Sequence, residues 1–135
     1  MERRPLVGVG VIIRKDDEVL LLKRKGAHGA GSWAFVGGHL EFNETPQDCA
    51  LRETLEEVGL KISNLRPTTF TNDLFDDGNK HYVTLYVLAD YIEGEPKILE
   101  PEKCEALDWF KWDNLPKPLF IPLQNLLKQD FNPFT

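Results

Sequence analysis

The stretch Gly38–Leu60, GHLEFNETPQDCALRETLEEVGL, constrains this chain more than any other: a glycine loop runs directly into a short helix crowded with carboxylates. At about 100° per residue, Glu53, Glu56 and Glu57 fall at i, i+3 and i+4, on one helical face. Like charges that close repel by a few tenths of a kcal/mol per pair, so a helix that needed only stability would avoid them. A helix that holds a divalent cation requires them, because hard cations bind through carboxylate oxygens. Taken alone, the helix fits an ordinary solvated face better.

The ends of the helix are well signalled. Thr45 can cap it, Pro46 suits the first helical position and Asp48 occupies the capping-box position. Gly59 falls where a helix C-terminus wants a left-handed residue. Leu51, Leu55 and Val58 recur at i, i+4 and i+7. The pattern predicts that these three pack on the core while the glutamates face a cleft on the opposite side.

Around this helix the chain is rich in strands. Val7–Ile13 and Glu18–Arg24 predict a hairpin across Lys15-Asp16-Asp17, and Gly26–Gly31 a flexible loop. Trp33–Val36 and His39–Phe42 predict two short strands flanking the double glycine. Leu65–Phe75 and His81–Ile92 should pair across Asp76–Asn79, followed by an acidic loop, Pro96–Glu105, and a strand at Ala106–Trp112. A helix is expected over Leu119–Gln129. A mixed sheet with helices on both faces accommodates this order, as one domain over residues 1–135.

Composition narrows the function. With 41% hydrophobic and 28% charged residues the chain fits a globular protein, and its net charge of −6 should repel nucleic acid polymers. No segment approaches the roughly 20 apolar residues of a membrane span. Cys49 and Cys104, without CxxC spacing, point to a reduced, cytoplasmic setting.

Gly38, Glu44, Arg52-Glu53, Glu56-Glu57 and Gly59-Leu60, at this spacing, resemble the signature of Nudix (MutT-like) hydrolases. Gly29–Phe42, His81–Thr84 and Glu100–Glu105 extend the likeness to the subgroup with the human thioguanine-triphosphate-hydrolysing enzyme, and to plant relatives that cleave oxidised guanine nucleotides and NADH. The chain departs at Thr54, where the family usually has an aliphatic residue, a change expected on a flank of the helix. Val36 replaces a frequent proline.

The resemblance implies an α/β class fold, the Nudix α/β/α sandwich with a mixed β-sheet. It implies Mg²⁺, with Mn²⁺ as the alternative, held by Glu53, Glu57 and Glu56 and by a loop carbonyl at Gly37 or Gly38. Arg52 would orient the carboxylates, itself held by Glu44. The expected catalytic set is therefore Arg52, Glu53, Glu56 and Glu57, with Glu102 or Glu105 as a further base or metal ligand. An acidic loop is as often merely solvated. Arg24 would contact substrate phosphates, unless it is plain strand-end charge. His39 and Gly37 lie beside the site, Thr84 near the base, and Phe35 either stacks on a base or fills the core.

Bridging Mg²⁺ neutralises a pyrophosphate and acidifies water. The expected reaction is hydrolysis of a nucleoside triphosphate, a purine or oxidised dNTP, to monophosphate and pyrophosphate. The alternative is an ADP-ribose or NADH type dinucleotide. A non-catalytic nucleotide-sensing module is disfavoured by the full set of box carboxylates. The partner is a small nucleotide, with neither nucleic acid polymer nor membrane, and a homodimer is compatible with the family.

Overall fold

Strict alternation along the first strand decides the layering. In β1 (Leu6–Lys15), Val9, Val11 and Ile13 enter one apolar core while Ile12 enters another, because successive side chains leave a strand on opposite faces. The computed structural model describes residues 3–26 and 28–135, so Ala27 within the expected glycine loop, like Met1 and Glu2, lies outside the described residues. The remaining elements are β2 (Glu18–Arg24), β3 (Trp33–Ala34), β4 (Val36–His39), α1 (Pro46–Glu57), β5 (Lys61–Phe75), β6 (Lys80–Glu93), β7 (Cys104–Lys111) and α2 (Ile121–Leu127).

The strands form one mixed sheet in the order β3-β2-β1-β6-β5, with β4 also paired to β1 and β7 to β2. Among the described strands only β1 and β6 pair in parallel, in register from Leu6 with Tyr82 to Arg14 with Asp90. Helix α1 contributes Cys49 and Ala50, and its C-cap residue Val58 adds to them, in the core containing Val9 and Val11. Helix α2 contributes Leu123 and Leu126 to the core containing Ile12. The two helices therefore cover opposite faces, and the expected mixed α/β fold is the observed one. Among the described residues no helix is long and apolar enough to cross a membrane.

β1 shares its edge between two partners. Its last residues pair with β2 (Arg14 with Val19), whereas Gly8–Val11 pair with β4. The chain makes this switch at Phe35: β3 pairs with β2 and β4 with β1. The single strand expected at Trp33–Val36 is thus broken in two. The strand expected at His39–Phe42 instead ends at His39, and 42–43 turn back toward the helix. At the C-terminus the helix is shorter than Leu119–Gln129, starting at Ile121 with Pro122 in its first turn.

The packing of α1 overturns the expected stripe. Leu51 and Leu55 are 41% and 56% exposed, while Cys49, Ala50 and Thr54 are fully buried. Small side chains let the helix approach β4 closely enough for the Cys49 thiol to reach the His39 carbonyl at 3.5 Å. Glu53 and Glu57 project between Cys49 and Ala50 on the helical wheel, inside the packed arc and not opposite to it. Thr54 likewise lies in the core, with its hydroxyl unpartnered among the described residues. Its capping matches expectation: the Asp48 N–H donates to the Thr45 hydroxyl at 3.1 Å, and Gly59 takes φ of +68°.

Candidate active site

Two glycines of β4 bring backbone and carboxylates together. A Cβ on Gly37 would sit 2.1 Å from the Val9 carbonyl oxygen, and one on Gly38 would sit 2.4 Å from the Glu53 carboxylate. Only glycine leaves room for both approaches. The Gly37 N–H also reaches the Glu57 carboxylate. An anionic side chain is thereby pressed against a stretch of bare backbone, where carbonyl oxygens are at hand as further ligands.

Arg52 organises the outer edge. Its Nε and Nη2 donate to the two oxygens of Glu44 at 2.8 and 3.0 Å, a forked pair, and Nη1 donates to Glu53 at 2.8 Å. Nη2 also reaches the His39 carbonyl at 3.2 Å, tying α1 to the end of β4. The Arg52 hydrogen bonds and the Glu41 N–H hold the Glu44 carboxyl down to about 2. Glu44, Arg52 and Glu53 therefore form a charged cluster, as the sequence suggested, with Arg52 at its centre.

Further in, the balance reverses. Glu53 and Glu57 hydrogen-bond each other, and burial raises both above the ordinary carboxylate value; the Glu53 charge, then Glu100, raises Glu57 further. Among the described residues Glu57 has no ion pair of its own. Two facing, half-buried carboxylates disfavour double ionisation. Glu56 stays at the rim, its carboxylate 3.5 Å from Arg52. No three acidic, histidine or cysteine side chains are already gathered as a cage among the described residues. Glu53 and Glu57 nonetheless have the chemistry a hard divalent cation requires: clustered carboxylate oxygens under-supplied with positive charge.

Glu53 and Glu57 line a cavity of about 720 Å³. Arg24, at the end of β2, stands on its wall with its guanidinium 4.2 Å from the Phe120 ring centroid and its Nε donating to the His28 carbonyl at 3.0 Å. Burial lowers its pKa while Glu57 raises it, so Arg24 and Glu57 share the same space. Beyond Arg24 the wall turns aromatic. His28 packs edge-on against Phe75 at 4.6 Å and Phe120 at 5.5 Å, and His39 stacks on Tyr82 at 5.5 Å with Nε2 2.9 Å from its hydroxyl.

The other sequence candidates divide. Thr84 and Gly37 line the cavity, as does Phe35, whose ring packs between Tyr86 at 6.1 Å and Trp112 at 6.4 Å and is only 8% exposed. Glu102 lies on the wall, but Glu105 does not, and faces Lys23 at 4.0 Å on β7. Glu100, in the same acidic loop, also lines the cavity, and its charge raises Glu57. Sequence inspection also passed over Tyr82, Phe75 and Phe120 as wall residues. The alternation of Tyr82, Thr84 and Tyr86 along one strand was the available signal.

A NUDIX domain model matches residues 4–130. An ADP-ribose pyrophosphatase of Methanocaldococcus jannaschii is 37% identical over 118 residues, covering 86% of this chain and 68% of that protein. The NAD-capped RNA hydrolase NudC of Photorhabdus laumondii subsp. laumondii is 33% identical over 123 residues, covering 91% of this chain but only 44% of that protein. The crystal structure of a MutT NUDIX hydrolase from Burkholderia pseudomallei superposes with a TM-score of 0.87 at 34% identity, covering 96% of this chain and all of that one.

Proposed function

The chain belongs to the NUDIX family of hydrolases, and we propose that it cleaves the phosphoanhydride of a nucleoside diphosphate derivative, with ADP-ribose as the leading substrate. Water adds to one phosphorus, the P–O–P bridge breaks, and AMP and ribose 5-phosphate leave. The observation that carries this is a cavity lined by the half-buried Glu53–Glu57 pair and by aromatic side chains, with Arg24 feeling the Glu57 charge and standing 4.2 Å from the Phe120 ring. That combination suits an anhydride joined to a nucleoside. The relative named ADP-ribose pyrophosphatase, of which the chain covers 68%, supports a diphosphate-linked substrate over the triphosphate expected from sequence. It supports the alternative first weighed there.

Glu53 and Glu57 would hold the cation, Mg²⁺ being our choice, with Glu56 joining from the rim and a Gly37 or Gly38 carbonyl from the loop. A divalent cation there would neutralise the anhydride and lower the pKa of the attacking water. Arg52 keeps Glu53 in place through its 2.8 Å contact. Arg24 binds and orients the phosphates, a task suited to a guanidinium's forked donors. Glu100 or Glu102, on the cavity side of the acidic loop, accepts the proton released by water. The net charge of −6 argues against holding an RNA polymer, and the chain spans less than half of the NudC relative.

The test is product analysis with Mg²⁺ and a panel of ADP-ribose, NADH and deoxynucleoside triphosphates. Monophosphates released from ADP-ribose at the highest kcat/KM are expected. Pyrophosphate from triphosphates at a higher kcat/KM would restore the first expectation, and no turnover of any member would favour a nucleotide-sensing module.

A further inference from the structure

Asp73, on β5, is fully buried, yet three donors converge on it. Thr84 Oγ1 donates to its Oδ2 at 2.6 Å and Thr71 Oγ1 to the same oxygen at 3.0 Å, while Asn125 Nδ2 of α2 donates to Oδ1 at 2.9 Å. A carboxylate surrounded by donors only accepts. A threonine hydroxyl has a single proton, and at Thr84 that proton is committed to Asp73. What Thr84 turns toward the cavity is therefore lone pairs alone.

Thr84 sits on the cavity wall opposite Gly8 of β1, its register partner. A Cβ on Gly8 would meet the Gly38 carbonyl and the Tyr82 ring at 3.8 Å and Thr84 Oγ1 at 3.9 Å, ordinary van der Waals contacts, so the hydroxyl oxygen lies beside a floor of bare backbone. The neighbouring hydroxyl cannot serve as donor in its place, because Tyr86 donates to the Pro122 carbonyl at 2.9 Å. A flat heterocycle entering here meets a fixed acceptor.

We infer that Asp73 is a positioning residue that fixes Thr84 as a hydrogen-bond acceptor, so that the base pocket selects a purine presenting an exocyclic amine, adenine, over one presenting a carbonyl, hypoxanthine. This rests on the proposed nucleotide site. Adenine's C6 amine can donate to Thr84. A C6 carbonyl would face lone pairs with lone pairs and leave both groups unpaired on desolvation. Sites built around a buried polar partner discriminate more strongly than apolar pockets do. Replacing Asp73 by asparagine would invert the device. With its oxygen still accepting from Asn125, its amide would donate to Thr84 and release the Thr84 proton into the cavity.

Equilibrium binding of AMP and IMP to the whole protein tests this apart from catalysis. Wild type should bind AMP at least about tenfold more tightly. Asp73→Asn should reverse the order, Thr84→Val should bring the ratio near one, and Thr84→Ser, which keeps the hydroxyl, should retain it. Should Asp73→Asn fail to fold, the Thr84 pair still decides. Equal binding by wild type, binding of neither nucleotide, or a ratio unchanged in Thr84→Val overturns the inference. Hydrolysis separates it from the proposed reaction. AMP preference without ADP-ribose cleavage sinks the reaction and keeps the pocket. Equal kcat/KM for ADP-ribose and its hypoxanthine counterpart keeps the reaction and sinks the pocket.

Discussion

The Glu44–Arg52 corner and the Glu53–Glu57 corner are built from the same residue types, within one helix and its approach, and their electrostatics run in opposite directions. At the first, a forked guanidinium and a backbone N–H hold a carboxyl down to about 2. At the second, burial pushes two carboxyls up, and the Glu53 charge pushes Glu57 further. One corner is complete as folded; at the other Arg52 reaches Glu53, and among the described residues Glu57 has no ion pair. The lesson is that acidic residues in a conspicuous motif divide by their partners: Glu44 is held by Arg52, whereas Glu57 has no ion pair among the described residues and is, in the proposed reading, the glutamate that takes the cation.

The sharpest way to break this contrast is to neutralise each corner in turn. Glu57→Gln should lower kcat by at least about 10³-fold. The metal-free Tm should hold or rise, since a half-buried carboxylate with no ion pair among the described residues is removed. A Tm loss would mean that Glu57 stabilises the fold and that the contrast is mistaken. Arg52→Ala should do both kinds of damage. It strips Glu44 and Glu53 of their shared cation, lowering kcat about 10- to 100-fold and Tm by about 5 °C. Thermal melts with a kcat measurement on each variant decide both.

The pH dependence of the metal-free protein sharpens the same contrast, because the two corners have opposite signs. Glu44 titrates lower folded than unfolded, so its contribution is present above 4.5 and is lost as pH falls toward 2. Glu53 and Glu57 titrate higher when folded. The native state then binds more protons than the unfolded one above 4.5, and stability declines as pH rises. Melts from about pH 5 to about pH 8 should show this decline, and Mg²⁺ should flatten it, raising Tm more at the upper end. EDTA should abolish both this protection and turnover. A Tm indifferent to Mg²⁺ at high pH would remove the cation from Glu57.

The smallest effects concern the rest of the helix. Thr54→Val removes a buried hydroxyl unpartnered among the described residues and should stabilise by about 1 kcal/mol, with kcat unchanged. Leu55→Ser, at an exposed position, should stay within about 0.5 kcal/mol of wild type. Chemical denaturation distinguishes them, and a large loss at Leu55 would restore the stripe first expected.

That stripe shows where a one-dimensional pattern falls short. Leu51, Leu55 and Val58 satisfy helical periodicity, but only Val58 is buried. Periodicity locates apolar residues on a wheel and is silent about which neighbour approaches. Here β4 admits Cys49, Ala50 and Thr54 because they are small, and the carboxylates come in with them. Glu105 failed to join the cavity for a related reason: sequence proximity placed it with Glu102, but β7 begins at Cys104 and carries it away along a strand paired with β2. Asp73 gave no signal at all. A lone acid in a Thr-rich strand looks solvated until Thr71, Thr84 and Asn125, from three elements, close on it.

By itself, the sequence determined the helix with its caps, the glycine approach, the hairpin strands and the kind of bond such a site can attack. Those depend on local conformational preference and on residue types at fixed spacing. The tertiary structure alone decided which glutamates are deprived of charge, which acid faces them and which way the Thr84 hydroxyl points. Desolvation and hydrogen-bond direction belong to the surroundings of a group, and in this fold those surroundings come from residues far apart in the chain.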